Sequence, residues 1–427
     1  MNTDRTTEVQ AQSAHCPFST GMFDPLDLTD PFPVLAQAQA EAPVFFDEHI
    51  GYWVVTRYDD IKQIFRDHDT FTAQNTITPI TPFTDAMRAK LVDGGYTPQP
   101  VLSNNVPPGH TRIRTVVNKL FTPRRVKQLE PDIRRLTHEH MAQIREALAA
   151  EGRADLVATL TYDLPAEVLF ILLGVPAADV AQVKAWAGNR LKLYYGRTTE
   201  VEQLAMADNL IAFWHYTTDL VARKAAAPQD DLTSDLIRAR NGDDSILTMN
   251  EVASCMITLL VAGHETTTAA LSNGLQHLLA DRRRWDALRA DPARIPNAVE
   301  EILRFDPSVC AWRRKVVADT EIGGVAIPAG ADLLLMLNAA NRDPALFDQP
   351  HVFDAARANA REHLAFGYGI HFCVGAPLAR LEGVVVLEEL TQHLPDLTLE
   401  DGQAYTYVPN ISFRGPRQLW VGEATRG

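Results

Sequence analysis

Apolar residues recur with helical spacing through the middle of the chain, from about residue 110 to residue 305. The longest periodic segments lie near residues 124–150, 178–195, 199–226, 248–280 and 282–304. Runs of strand-forming residues occur only outside this region, at residues 43–46, 52–56, 316–327, 332–337 and 405–420. No internal repeat and no Ser/Gly-rich linker divides the chain. The pattern predicts a mainly α fold, a helical domain with a minor β-sheet region.

The N-terminal segment and one internal loop complete the predicted domain organisation. Residues 1–20 are mostly polar and are predicted to form a flexible N-terminal arm, whereas residues 21–427 form a single domain. Residues 75–108 contain several prolines and few periodic apolar positions, which indicates a long loop with one short helix. Loops of this length in a compact protein commonly carry function.

The charge balance and the hydropathy exclude several kinds of partner. The 427 residues include 40 Lys and Arg against 54 Asp and Glu, and this formal charge of −14 disfavours binding to nucleic acid or to an anionic membrane. No apolar run reaches the roughly 20 residues of a membrane-spanning helix, and the polar start lacks a signal-peptide core. We therefore expect a cytoplasmic protein that does not attach to a membrane.

One of the four cysteines lies in a distinctive segment. Cys16, Cys255 and Cys310 are isolated, and no C-x-x-C pair indicates a zinc site or an iron–sulfur cluster. Cys373 lies in Phe366-Gly-Tyr-Gly-Ile-His-Phe-Cys-Val-Gly375, directly before an apolar helix. The glycines permit a tight turn around the sulfur, and the amides at the start of the helix favour a thiolate. This setting suits either a metal ligand or a nucleophile.

A second unusual segment, Ala262-Gly-His-Glu-Thr-Thr267, lies inside the helix that the capping box Thr248-Met-Asn-Glu251 begins. Glycine and a run of three threonines disfavour a helix locally, and function commonly explains such a conflict. We expect the Thr266 hydroxyl to bond the carbonyl of Ala262, four residues earlier. We also expect Gly263 to leave room for a ligand against the backbone.

The cysteine segment resembles the haem-binding loop of the cytochrome P450 family, F-x-x-G-x-x-x-C-x-G, at every defining position from Phe366 to Gly375. The resemblance implies the cytochrome P450 fold and a haem b cofactor, iron protoporphyrin IX, whose iron is bound by the Cys373 thiolate. The second segment is similar to the family's A-G-x-[DE]-T-[TS]. This similarity implies that Ala262 and Gly263 border the haem. It also implies that Thr266 hydrogen-bonds dioxygen there, while Glu265 relays protons.

Four cations resemble the family's donors to the two haem propionates. His110 and Arg114 have the spacing H-x-x-x-R, which places them on one face of a helix, and Arg314 and His371 match two further donor positions. The resemblance therefore assigns all four to cofactor binding.

The sequence also matches the motif of an ion-pair network in the family. Glu301-Ile-Leu-Arg304 is similar to its E-x-x-R motif, and Arg357 resembles the third member. We assign these residues a role in folding and none in catalysis.

Finer similarity concerns the supply of electrons. Residues 311–314, 328–330 and 408–416 are similar to the haem domains of bacterial self-sufficient members, which are fused to a flavin and [2Fe–2S] reductase, and to their stand-alone thiocarbamate-induced relatives. This chain has no nucleotide-binding loop and no cysteine quartet, so we expect no bound flavin, nicotinamide or Fe–S cluster. The resemblance then implies electrons from NAD(P)H through an external ferredoxin or reductase, or through a reductase domain missing from this chain. Residues 111–135, with eight basic and two acidic side chains, are predicted to receive the donor.

The activity that the resemblance implies is monooxygenation. One atom of O2 would enter a small hydrophobic substrate, aromatic or alkyl-aromatic, by hydroxylation or by O- or N-dealkylation. Predicted substrate-facing positions are residues 77–83, Leu259, Ala262, 309–311 and 410–411. Two alternatives stay open, an H2O2-driven peroxygenase and a non-catalytic haem protein for sensing or electron transfer. The Glu265-Thr266 pair disfavours both, because the peroxide-using branch of the family lacks it and a passive haem protein has no use for it.

Overall fold

The computed structural model describes residues 18–188 and 190–424. Helices form most of the described chain. Their bounds are α1 Phe32–Glu41, α2 Tyr58–Arg66, α3 Asp85–Asp93, α4 Gly109–Leu120, α5 Pro123–Lys127, α6 Glu130–Glu151, α7 Leu164–Leu173, α8 Val180–Ala187, α9 Arg190–Tyr195, α10 Glu200–Ala226, α11 Leu232–Ala239, α12 Met249–Leu279, α13 Arg282–Ala290, α14 Ile295–Phe305, α15 Leu337–Ala340 and α16 Ala376–His393. The mainly α fold class is therefore confirmed.

The two longest helices begin at capping boxes. Thr199 before α10 and Thr248 before α12 each accept a hydrogen bond from the backbone amide of a glutamate three residues on, Glu202 or Glu251. Each glutamate side chain accepts a hydrogen bond from the amide of its threonine in return. Both pairs satisfy amides that the first turn of a helix leaves free, and so they fix where these helices start.

The prediction of one helix over residues 282–304 is wrong in detail. The structure divides this segment into α13 and α14, with a short 3₁₀ turn at Pro292–Arg294 between them. Pro292 has no amide hydrogen to donate, and it therefore cannot continue α13. The predicted short helix in the loop over residues 75–108 is confirmed as α3.

The strands form three small sheets. Their bounds are β1 Val44–Asp47, β2 Tyr52–Val55, β3 Phe71–Thr72, β4 Ala154–Asp155, β5 Ala311–Val316, β6 Thr320–Ile322, β7 Val325–Ile327, β8 Asp332–Met336, β9 Leu397–Leu399 and β10 Trp420–Glu423. One sheet has the order β1-β2-β8-β5-β3, in which β2 and β8 are parallel and the other pairs antiparallel; a second has the order β4-β10-β9, and β6 pairs with β7. The strand-forming runs at residues 43–46 and 52–56 pair as the hairpin β1-β2, and the run at residues 316–327 contains the hairpin β6-β7.

The predicted strand over residues 405–420 is wrong over nearly all of its length, since β10 begins only at Trp420. The Asn410 side chain closes a turn instead, donating to the carbonyls of Val408 and Phe413 and accepting from the amides of Ser412 and Phe413. Asn410 is fully buried. Because its amide is used by its own turn, Asn410 is a structural residue and not the substrate-facing position that we expected.

The N-terminal boundary differs from the prediction. Residues 1–17, including Cys16 and most of the predicted arm, lie outside the described residues. Phe18 is 1% exposed and its ring lies 5.6 Å from that of Phe45 in β1. The packed domain therefore already includes residue 18, before the predicted boundary at residue 21.

Helix α12 runs through the main hydrophobic core and packs against α7, α10 and α14. Helix α16 packs against α6, α14 and, more loosely, α12. The segment of α12 with the unusual residues thus shares one core with the helix that follows the cysteine segment. No helix within the described ranges is long and apolar enough to cross a membrane.

Candidate haem-thiolate site

Backbone geometry closes the cysteine segment into a loop. The Cys373 amide donates to the Phe366 carbonyl at 2.9 Å, and Gly367 and Gly369 both have positive φ, 69° and 72°. A Cβ on Gly369 would lie 2.6 Å from the carbonyl oxygen of Phe65 at the end of α2. Gly369 therefore needs to be glycine for its conformation and for its contact with α2.

The aromatic residue that begins the loop is held by charged neighbours. The Arg380 guanidinium of α16 lies 4.7 Å from the centre of the Phe366 ring and donates to the Glu300 carboxylate at 2.8 and 3.0 Å. The His363 ring lies 3.2 Å from the same carboxylate. Burial raises the pKa of Glu300, but the hydrogen bonds from His363 and Arg380 outweigh it and lower this pKa to about 2. Phe366 thus has a positioning role, linking the loop to α14 and α16.

The protonation of Cys373 differs from the prediction. The amides of Gly375 and Ala376 hydrogen-bond the sulfur, and the charges of Arg114 and Arg380 also favour the thiolate. Although the Cys373 side chain is exposed, desolvation by the surrounding fold outweighs all of these and raises the pKa of the thiol. A thiol of raised pKa is a poor nucleophile, whereas a metal cation deprotonates the thiol that binds it. Of the two functions left open by the sequence, the structure therefore favours the metal ligand.

The four predicted propionate donors come together beside the loop. His110 and His371 have ring centres 4.2 Å apart, and the Arg114 guanidinium donates to the carbonyl of Phe372 at 2.5 Å. Arg314 is 2% exposed, and burial lowers its pKa to about 9. None of the four forms an ion pair with a carboxylate in the described part of the chain.

Within the described residues, the lack of an anionic partner for Arg114 and Arg314 and the unsatisfied ring nitrogens of His110 test the fit of haem. Both ring nitrogens of His110 are buried without a hydrogen-bond partner, and burial followed by the charge of Arg114 lowers the pKa of His110 to about 4. Buried cations and orphaned donors are costly unless an anionic group satisfies them. The two propionates of haem b supply that charge, so these residues fit the cofactor.

The predicted oxygen-handling residues share the middle of α12. The Thr266 hydroxyl donates to the Ala262 carbonyl at 2.7 Å, as predicted, and Ala262 is exposed although most of this helix is buried. Burial alone raises the pKa of Glu265 to about 7. Glu265 forms no ion pair within the described residues. A carboxyl group with this pKa both gives and accepts a proton readily near neutral pH.

Gly263 lies at the contact between α12 and α7. A Cβ at this position would lie 2.9 Å from Cδ2 of Leu169 on α7, so the glycine allows α12 and α7 to pack closely. The neighbouring His264 is fully buried, and its Nε2 lies 2.9 Å from the carbonyl oxygen of Tyr162. The Cβ position of Gly263 therefore faces α7, and its place beside a ligand stays a prediction.

The predicted folding network is confirmed. Arg304 donates to both oxygens of Glu301 at 2.7 and 2.8 Å, and the Arg357 Nε lies 3.2 Å from the same carboxylate. The side chains of Glu301 and Arg304 are completely buried. Arg304 also donates to the carbonyls of Asn341 and Pro350, which ties α14 to the segment after α15.

Two buried groups were missed by the sequence analysis. Glu382 on α16 is 1% exposed, its Oε2 has no hydrogen-bond partner, and burial raises its pKa well above the ordinary value. Arg190, the first residue of α9, has a buried Nη1 without a partner. Glu382 could have been noticed as an acid at an apolar position of a helix, but no sequence signal distinguishes Arg190 from a surface arginine.

Comparison with known proteins agrees with this site. The sequence profile of the family described as Cytochrome P450 matches residues 207–403. The chain is 37% identical over 399 residues to the "Cytochrome P450 monooxygenase PikC" of Streptomyces venezuelae, covering 91% of this chain and 90% of that protein. This chain is a cytochrome P450. It is therefore a haem b oxidoreductase, and its overall architecture is the P450 fold.

Two solved P450 structures are similar over almost the whole chain. The "cytochrome P450 CREJ in complex with (4-ethylphenyl) dihydrogen phosphate" has a TM-score of 0.91 and 42% identity, covering 94% of this chain and 99% of that one. An "intact type IV self-sufficient cytochrome P450 monooxygenase" has a TM-score of 0.90 and 38% identity, covering 95% of this P450 and 53% of the other chain. The resemblance to self-sufficient haem domains is thus confirmed.

Proposed function

We propose that this P450 is a monooxygenase that inserts one atom of O2 into a small alkyl-aromatic substrate bearing an anionic group, with electrons supplied by NAD(P)H through an external donor. The observation that carries the reaction type is the pairing of Glu265 and Thr266 beside the exposed Ala262 on α12. Bound haem b supplies the activation of dioxygen and its transfer to carbon.

The side chains divide the remaining work. Cys373 holds the haem iron through its sulfur, and His110, Arg114, Arg314 and His371 hold the propionates. Glu265 carries a proton on its carboxyl group and passes it toward the Thr266 hydroxyl through water. The Thr266 hydroxyl donates its hydrogen to the Ala262 carbonyl. Its Oγ1 lone pairs therefore remain free to accept a hydrogen bond from the water that relays the proton.

The reaction type is tested with a Thr266→Ala variant. Monooxygenation predicts that this variant still oxidises NAD(P)H with its donor but forms much less product for each NAD(P)H, because the proton is no longer delivered in place. Full turnover of the wild type with H2O2 alone would instead support the peroxygenase alternative. Unchanged coupling in Thr266→Ala would contradict the proposal.

The predicted substrate-facing segments meet around α9. The Tyr194 ring lies 6.0 Å from that of Phe83, within the predicted segment 77–83, and the Tyr195 carbonyl accepts a hydrogen bond from the Ile411 amide at 2.9 Å. Ile411 is buried, as is Ala311 of the predicted segment 309–311. Apolar and aromatic surroundings of this kind favour an alkyl-aromatic ligand.

Arg190 adds a charge requirement to these apolar surroundings. Its guanidinium lies 5.1 Å from the centre of the Tyr194 ring, and no carboxylate of the described residues pairs with it. Burial lowers the pKa of Arg190, but interactions with Tyr194, Tyr96 and Tyr195 raise it above its ordinary value, so the group stays cationic. A partly buried cation with one buried donor left free favours an anionic ligand. The similar P450 CREJ was solved with the aryl phosphate 4-ethylphenyl dihydrogen phosphate, which combines both features.

The substrate proposal is tested by the spin-state change of the ferric protein. We expect 4-ethylphenyl phosphate to bind more tightly than 4-ethylphenol, and Arg190→Gln to weaken the phosphate at least tenfold while leaving the phenol unchanged. The matched control is Arg197→Gln, because Arg197 is an exposed arginine just beyond α9. Equal affinities of the wild type for the two compounds would overturn the anionic requirement.

The basic segment predicted to receive the electron donor is largely neutralised in the structure. Carboxylates pair with Arg112, Arg125, Arg134 and Arg135. Within the described ranges, Lys119, Arg124 and Lys127 form no ion pair. Helix α5, which carries Arg124 and Lys127, packs against α16, the helix that follows the cysteine loop. We propose that these free cations, and not the whole segment, bind an acidic ferredoxin-type donor. We propose that this takes place in the cytoplasm, where NAD(P)H is available.

The docking proposal is tested with the double variant Arg124→Glu, Lys127→Glu. Arg125 is left unchanged, because it pairs with Asp235 of α11 and its reversal would disturb folding. We expect slower reduction by the donor at low salt and an unchanged spin-state response to substrate. Arg289→Glu on the exposed face of α13 is the control. An unchanged reduction rate would contradict this placement.

A further inference from the structure

Two histidines and a glutamate form a cluster at the far end of α16. The Nε2 of His138 on α6 lies 3.0 Å from Oε2 of Glu389, and the Nε2 of His393 lies 3.4 Å from the same oxygen. One ligand atom from each residue lies within 4.8 Å of the others. His393 ends α16, about 25 Å along the helix axis from the residue after the cysteine loop, so the cluster is separate from the haem site.

The distances suit a small tetrahedral cation. Ligand atoms at about 2.0 to 2.1 Å from a tetrahedral Zn²⁺ are about 3.3 Å apart, and the two observed separations lie on either side of this value. Glu389 is oriented independently, because Arg134 donates to its other oxygen, Oε1, at 2.5 Å. This leaves Oε2 directed at the two imidazoles. The histidine side chains are 48% and 44% exposed, so water can complete the coordination.

The local charge also favours a cation. Arg134 contacts three carboxylates, those of Glu130, Glu388 and Glu389. Arg145 also approaches, donating to the His393 carbonyl at 3.3 Å, but two positive charges still leave the three carboxylates with excess negative charge. The hydrogen bond from Arg134 resembles the outer contacts that orient carboxylate ligands in metal sites. Neutral imidazole nitrogens prefer Zn²⁺ to the oxygen-seeking ions Mg²⁺ and Ca²⁺.

We propose that His138, Glu389 and His393 bind one Zn²⁺ ion with water as the fourth ligand. The ion joins α6 to the C-terminal end of α16, two helices that pack against each other along the core. Because only the folded chain brings the three ligands together, bound zinc stabilises the fold and resists separation of these helices.

The test uses the haem-loaded enzyme, purified without a polyhistidine tag and treated with EDTA. Calorimetric titration with ZnCl2 in a buffer that does not bind zinc is expected to show one tight equivalent, and added zinc to raise the thermal unfolding temperature. His138→Ala and His393→Ala should each weaken binding at least tenfold. The control His351→Ala, an exposed histidine outside the cluster, should bind like the wild type. MgCl2 should not compete.

The carbon-monoxide difference spectrum of each variant verifies that it folds around haem. The conservative variant His138→Gln provides a second measurement if His138→Ala is unstable. Absence of a stoichiometric zinc site in the wild type, or identical binding by wild type and both cluster variants, would overturn the proposal. Loss of binding in His351→Ala would likewise assign the zinc to another place.

Discussion

The partly buried carboxyl group of Glu265 should reduce the stability of the protein at neutral and higher pH. Its pKa is raised to about 7 by burial alone, from an ordinary value of 4.5. Tyr162 faces it, and Lys184 does not neutralise it because that amine pairs with Asp163. At 1.36 kcal/mol for each pKa unit, ionisation in the folded state costs about 3 kcal/mol.

The sign of the pH dependence follows from the direction of this shift. The folded state binds the Glu265 proton more tightly than the unfolded state, so stability is greatest below pH 4.5 and is lost as the pH rises through about 7. Glutamine cannot ionise and does not carry this cost. The difference in unfolding free energy between Glu265→Gln and wild type should therefore increase by about 2 kcal/mol, in favour of the variant, from pH 5.5 to pH 8.5.

The assay is urea unfolding of the haem-loaded proteins at both pH values, followed by tryptophan fluorescence and by haem absorbance. Glu146→Gln, on the exposed face of α6, is the control and should show no such change. In turnover, the same Glu265→Gln variant should form less product for each NAD(P)H, since it cannot relay the proton. A free-energy difference that does not vary with pH would refute the reasoning.

Three further predictions, each with a control, concern the packing and the ion pairs around the site. Gly369→Ala should weaken the carbon-monoxide spectral band and lower the unfolding free energy by about 1 to 3 kcal/mol, because the added methyl group meets the Phe65 carbonyl. Gly367 also has a positive φ, but nothing lies within 4 Å of its Cβ position, so Gly367→Ala should lower the unfolding free energy less. Gly263→Ala should lower the unfolding free energy by about 1 kcal/mol, and Leu169→Ala should cost less in the Gly263→Ala background than in the wild type, because the two positions are in contact. Glu301→Gln should lower the unfolding free energy by about 3 to 5 kcal/mol, because Arg304 loses its buried ionic partner. Glu139 belongs to an exposed ion pair, so Glu139→Gln should lower the unfolding free energy by less than about 1 kcal/mol.

The features that the sequence predicted correctly are set by short-range contacts. The β1-β2 hairpin, the capping box of α12 and the Thr266 bond to Ala262 each join residues close in the chain. The same holds for Glu301 and Arg304, which lie on one face of α14. Periodicity and turn chemistry determine such contacts directly, so they can be read without knowing the tertiary fold.

The features that the sequence did not predict depend on partners far along the chain. Arg125 and Asp235 are 110 positions apart, and their ion pair removes one charge from the predicted donor surface. Gly263 meets Leu169, which no local pattern associates with it. The pKa of Cys373, whose side chain is exposed, likewise reflects desolvation by distant parts of the fold, which outweighs the nearby amides and arginines.

The residues that lower stability are the ones that the proposed reaction needs. Arg314 and His110 are buried and Glu265 is partly buried. Within the described chain, Glu265 and Arg314 have no partner of opposite charge, and the ring nitrogens of His110 have no hydrogen-bond partner. Their cost is offset by networks that are fully paired, such as Glu301 with Arg304 and Glu300 with Arg380. A carboxyl group given its own ion pair would have a lower pKa and would hold its proton less at neutral pH. The lack of a partner at Glu265 is therefore a condition for proton relay, and engineering a salt bridge there should stabilise the protein while impairing its coupling.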